Sequence, residues 1–73
     1  MERLLDILRE LRPDIDYEAE TSLFDDGLLD SFDIVTLIAG VSETYGVHIG
    51  VEDILPENFN SAEALYALIQ RLS

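Results

Sequence analysis

Apolar residues fall on helical faces along most of this chain, and the places where that spacing breaks mark the connections. Leu4, Leu8, Leu11 and Ile15 recur at steps of four, three and four, with Leu5 and Ile7 widening the stripe. This predicts an amphipathic helix over residues 2–12. Pro13 ends it, because proline disfavours helical backbone at the residue before it and offers no amide donor. From Pro13 to Asp30 the periodicity fades into PDIDYEAETSLFDDGLLD, an acidic connection whose expected anchors are Ile15, Leu23, Phe24 and Leu28. Connections this long in a small domain are usually functional or disordered.

The second helix has the clearest signal. Ile34, Leu37, Ile38, Val41 and Tyr45 recur on one face, and Gly46 sits where a C-terminal cap belongs. Asp30 or Ser31 starts it, with Asp30 and Asp33 spaced as an acidic capping box. Gly40 costs about 1 kcal/mol relative to Ala inside a helix and is read as a close packing position. After a turn at residues 47–50, VEDILPENF allows a short helical piece before Pro56. Asn60 and Glu63 are then spaced as a capping pair, and Ala64, Leu65, Leu68, Ile69 and Leu72 carry a last helix. No alternating strand pattern or internal repeat is visible. The expected fold is all-α: a small four-helix bundle of three long helices and one short, with a long first loop, in a single domain over residues 1–73.

Composition narrows the function. The chain has 73 residues, 48% of them hydrophobic, and a formal net charge of −12. That supports one small core and argues against binding a phosphate backbone, so no nucleic-acid partner is expected. Between Pro13 and Gln70 there are thirteen acids and no Lys or Arg, while three acids and four arginines lie outside. The loop and everything after it therefore project a negative field suited to a basic partner. Within the first helix, Asp6 and Arg9 are placed for an i, i+3 pair. The longest charge-free apolar stretch, Ile34 to Ser42, is far shorter than the roughly 20 residues of a membrane span. The N-terminus also lacks the pattern of a signal peptide. A soluble, cytoplasmic monomer with no membrane insertion is expected. There is no cysteine, hence no disulfide and no thiol of the chain's own.

Candidate chemistry concentrates in FDDGLLDSFDIVTLI, where Ser31 stands between the acidic loop and the second helix. Helix N-termini hold free amides and about half a positive charge, so a phosphate ester on that hydroxyl would sit in a favourable field. A serine there is also a plain N-cap, worth about 0.5–2 kcal/mol, and on local geometry alone the cap is the commoner role. The lone imidazole, His48, lies beyond the far end of the same helix and is badly placed to act on Ser31. Asp14, Asp16, Glu18 and Glu20 alternate as calcium ligands can, but an EF-hand needs Gly at its sixth position and Glu at its twelfth, where this chain has Ala19 and Asp25. A solvated acidic loop is the simpler account, and no metal site is expected.

The stretch GLLDSFDIVTLI resembles the modification motif of acyl carrier proteins, in which an Asp-Ser pair followed by Leu or Phe opens the second helix. In that family the serine receives phosphopantetheine from coenzyme A. The resemblance covers nearly the whole chain: an opening helix, a long loop with a turn glycine, an aromatic-glycine end at Tyr45 and Gly46, and a short third helix. The late segment ENFNSAEALYALI is similar to the Asn-Phe-x-Ser pattern of discrete carriers, D-alanyl carrier proteins in particular. It implies a carrier rather than an enzyme, with 4′-phosphopantetheine bound covalently to Ser31 and an acyl or aminoacyl cargo held as a thioester on the arm's thiol. The implied partners are a phosphopantetheinyl transferase, an acyl- or aminoacyl-activating ligase, and a downstream acyltransferase or synthase. Asp30, Phe32, Asp33, Thr36, Ala39 and Glu43 are the candidate recognition residues. Phe32 keeps two readings, a partner contact or a staple against Leu28 or Leu29. With Ser42, the outward positions of the second helix are less acidic than in fatty-acid-type carriers, which points to D-alanine or a specialised acyl group in lipid or secondary-metabolite biosynthesis. The competing class is an unmodified acidic helical adaptor for a basic protein, with the same composition and helices.

Overall fold

In the computed structural model, which describes residues 1–73, four helices follow one another: α1 (Glu2–Leu11), α2 (Ser31–Tyr45), α3 (Pro56–Phe59) and α4 (Ala62–Leu72). A single 3₁₀ turn, Val51–Asp53, precedes α3, and there is no strand. The all-α bundle with a long first loop is the architecture that the spacing predicted. No helix is long and apolar enough to cross a membrane.

α1 buries Leu4 and Leu8 completely and half-buries Leu5, Ile7 and Leu11. Its last helical residue is Leu11: Arg12 still donates its amide to the Leu8 carbonyl at 2.8 Å, but its backbone has turned to φ −141°, as the residue before a proline must. Arg9 does not pair with Asp6; it faces Glu18 across the loop at 3.7 Å. α2 directs Ile34, Leu37 and Val41 into the core, flanked by Ile38 and Tyr45. It stops at Gly46, whose φ of 70° is the left-handed cap conformation that a residue with a Cβ adopts only with strain. Gly40 faces α1, where a Cβ would stand 3.2 Å from Ile7 Cγ2, so the glycine marks the close approach of the two helices.

Three connections depart from the sequence reading. The long loop is anchored by Leu23 as expected, with Ile15, Phe24 and Leu28 half-buried, but also by Tyr17 and Leu29, which are as buried as the helical core. Residues 47–50 form no turn; they are an irregular segment, with Val47 and Ile49 buried and His48 exposed. Pro56 opens α3 at its first position, where its missing amide is harmless, and does not merely close the segment before it.

In the segment that follows Glu57, Asn58, Phe59, Asn60 and Ser61 each have a separate task. Asn58 donates to the Asp53 carbonyl and accepts from Arg71, at 2.9 Å each. Phe59 fills the core at 1% exposure. Asn60 accepts from the amides of Phe24 and Asp25 and donates to the Asp25 carboxylate, latching the middle of the long loop. Asn60 ends α3, its amide donating to the Pro56 carbonyl, and is not the cap that starts α4. Ser61 caps α4 by accepting from the Ala64 amide at 3.0 Å, and no bond returns from Glu63.

Candidate functional site

The start of α2 is built from two acids in a reciprocal box. Asp30, the N-cap, accepts from the Asp33 amide through Oδ1 at 2.8 Å, and Asp33 accepts from the Asp30 amide through Oδ2 at 3.3 Å. These bonds fix the turn as the Asp30/Asp33 spacing predicted. They also decide the role of the residue between them. Ser31 is the first helical residue and not the cap; it is exposed, and the capping bonds are made without its hydroxyl. The plain N-cap reading of Ser31 is thereby corrected.

Asp33 is drawn inward. It is 7% exposed, and its Oδ2 accepts from Arg12 Nε at 2.9 Å, while Arg12 Nη2 lies 3.7 Å from Asp30 Oδ2. Burial alone pushes the Asp33 carboxyl up, but the Arg12 hydrogen bond, the Asp30 amide and the Arg12 charge outweigh it and hold the group below its ordinary value. The Arg12 guanidinium is raised in turn by its bond to Asp33, so the pair stays charged across the neutral range. Among the residues read as a recognition surface, Asp33 is thus the exception: its carboxylate serves the fold and is turned away from solvent.

The others are exposed. Phe32 is 76% accessible, which removes the staple reading, and Asp30, Thr36, Ala39 and Glu43 are open as well. Val35, at 67%, stands one turn from Phe32, and Val51 and Leu55 are also exposed. No sequence signal singled out these three, because an apolar residue off the core stripe looks like any scattered surface residue until its neighbours are known. Ser31 borders a cleft of ≈ 450 Å³ whose apolar wall is Phe24, Leu29, Ile34, Val35 and Ile54, with Gly27 and Asp30 completing the rim. The tight turn at Gly27, φ 70°, sets one end of it.

His48 is exposed beyond the opposite end of the 15-residue helix and cannot serve Ser31 as a base. The alternating acids of the loop do not converge: Asp16 accepts from the Glu18 amide, Glu18 faces Arg9, and no three His, Cys, Asp or Glu side chains gather to hold a metal.

The Ser31 hydroxyl is thus exposed, free of the capping bonds and beside an apolar cleft. Residues 2–69 match the family described as "Phosphopantetheine attachment site", and the chain belongs to this family, whose members bind 4′-phosphopantetheine covalently. The "Probable acyl carrier protein PigG" of Serratia sp. (strain ATCC 39006) is 34% identical over 55 residues, covering 75% of this chain. The matched part is 63% of that relative's length, so the chain spans somewhat less than two thirds of it. No solved structure matches the chain.

Proposed function

We propose that Ser31 is the attachment point of 4′-phosphopantetheine and that the chain carries an acyl or aminoacyl group as a thioester on that arm. The observation that carries this reading is the division of labour in the first turn of α2: Asp30 caps, and the Ser31 hydroxyl is left exposed and uncommitted. When bound, the arm supplies the thiol that the chain lacks. The chain's own residues do the rest. The amides of Ser31 and Phe32 open α2 with no partner a turn earlier and would be available to a phosphodiester carried on residue 31. Phe24, Ile34, Val35 and Ile54 offer an apolar wall against which the arm or its cargo can lie.

Partners dock beside the serine on this reading. They are a phosphopantetheinyl transferase, an acyl- or aminoacyl-activating ligase, and an acyltransferase or synthase that takes the cargo. Phe32 and Val35 give them apolar contact, Thr36 and Ala39 close approach, and Asp30 and Glu43 the few charges on this face. The net charge of −12 speeds their encounter if their docking faces are basic. The carrier works in the cytoplasm, where coenzyme A is at hand, and as a monomer.

Incubation with coenzyme A and a broad-specificity phosphopantetheinyl transferase, followed by an intact mass, tests the proposal. One phosphopantetheinyl group is expected on the wild type and none on Ser31→Ala. An unchanged mass on folded wild-type protein would contradict it and favour the unmodified adaptor.

A further inference from the structure

Arg12 is the residue just before the long loop, and Asp30 is the last residue of that loop. Its guanidinium spans the gap and meets both acids that frame Ser31, at 2.9 Å for Asp33 and 3.7 Å for Asp30. Arg12 is itself held in place. Its amide bonds to the Leu8 carbonyl, and its own carbonyl lies 2.9 Å from the hydroxyl of Tyr17, a residue only 4% exposed. No other arginine reaches this turn: Arg3 forms no ion pair, Arg9 faces Glu18, and Arg71 donates to Asn58.

We propose that Arg12 is a positioning residue for the modification of Ser31, gripping Asp30 and Asp33 together so that the turn between them presents the serine hydroxyl in one orientation. This rests on the Ser31 reading above and extends it to a residue of a different element, outside the attachment motif. The first turn of a helix is the part most prone to fray, because its amides lack partners within the helix. Here the box that holds it consists of two carboxylates, which repel each other unless a cation lies between them. Arg12 supplies that cation, and its forked shape lets one side chain serve both acids. In the modification step the Ser31 oxygen attacks the pantetheine-bearing phosphorus of coenzyme A. A P–O bond to serine forms as the P–O bond to the departing 3′,5′-ADP breaks, and the serine proton passes to a base of the transferase. Such in-line attack loses rate when the attacking oxygen is misplaced.

The test compares wild type, Arg12→Gln and Arg12→Lys as transferase substrates, at a temperature where circular dichroism shows all three folded. Arg12→Gln is expected to lower kcat about tenfold with little change in the KM for the carrier, and Arg12→Lys to recover part of the loss. Hydrogen exchange of the unmodified proteins gives a second readout. The Asp33 amide should exchange about tenfold faster in Arg12→Gln while the Leu68 amide in α4 is unchanged. A wild-type kcat for Arg12→Gln, a loss confined to KM, or equal acceleration at Leu68 and Asp33 would overturn the proposal. A wild type that takes up no group contradicts the Ser31 reading instead, which separates the two failures.

Discussion

α2 and α4 begin with nearly the same local physics and opposite consequences. Each has an oxygen-bearing cap three residues before the amide it serves, at 2.8 Å for Asp30 and 3.0 Å for Ser61. In α4 the serine is the cap, and the first helical residue, Ala62, is buried at 4% exposure. In α2 an aspartate takes the capping task, and the first helical residue is an exposed serine followed by a 76% exposed phenylalanine. One serine hydroxyl is consumed by the fold and the other is released from it. The comparison teaches that the aspartate before Ser31 has a structural effect before any partner is considered: it makes the hydroxyl redundant for stability. The second difference is the brace. α4 starts with a single cap bond, whereas α2 starts with a reciprocal box tied to Arg12 on the far side of the loop.

The largest difference in stability is expected between the acids in the first turn of the two helices, Asp33 in α2 and Glu63 in α4. Asp33→Ala removes the return arm of the box and leaves Arg12 without its hydrogen-bonded partner, at a cost of about 2 kcal/mol. That corresponds to roughly 10 °C in Tm for a domain of this size. Glu63→Ala, at an exposed and unbonded position, should stay within about 0.5 kcal/mol. Thermal melts of both variants check this, and equal losses would erase the distinction between the two starts.

The pH dependence should follow the same contrast. The Asp33 carboxyl is held below its ordinary value in the folded protein, so its contribution is complete above the unfolded-state value of about 3.9 and disappears as pH falls through the folded one. The gap in Tm between wild type and Asp33→Ala should therefore close in acid. At the alkaline end, burial raises the Tyr17 phenol to about 12. Because the raised group favours the neutral form, its contribution is intact below about pH 10 and is lost as pH climbs toward 12. Tyr17→Phe should lack this alkaline loss, and denaturant melts across both ranges read it directly.

A smaller effect separates the serines. Ser61→Ala gives up a cap and should cost about 1 kcal/mol, whereas Ser31→Ala, at a position outside the capping bonds, should leave Tm nearly unchanged. Equal destabilisation by the two substitutions would mean that Ser31 is structural after all.

Much of this site was legible in the chain because its parts are local. Asp30 and Asp33 are three residues apart, and the capping box and the glycine end of α2 follow from spacing within one helix, whereas spacing alone left Ser31 as a plain cap and only the geometry freed its hydroxyl. Gly40 was legible for the same reason: a glycine inside an otherwise strong helical pattern signals close packing. The contacts that brace the site were not legible, because they join distant segments. Arg12 meets Asp33 from 21 residues away, and Asn60 latches Phe24 from 36. Spacing read Asn60 as a cap, but the loop amides claimed its side chain and passed the capping task to Ser61. Val47 and Ile49 escaped notice because two inward residues are too few to establish an alternating pattern, although both are 5% exposed.

Localising the added mass tests the central claim most directly. The wild-type protein is loaded from coenzyme A by a phosphopantetheinyl transferase and digested, and its peptides are fragmented so that each serine is resolved. The account predicts the whole addition on Ser31 and none on Ser61. An addition on any other residue, with Ser31 unmodified, would contradict it.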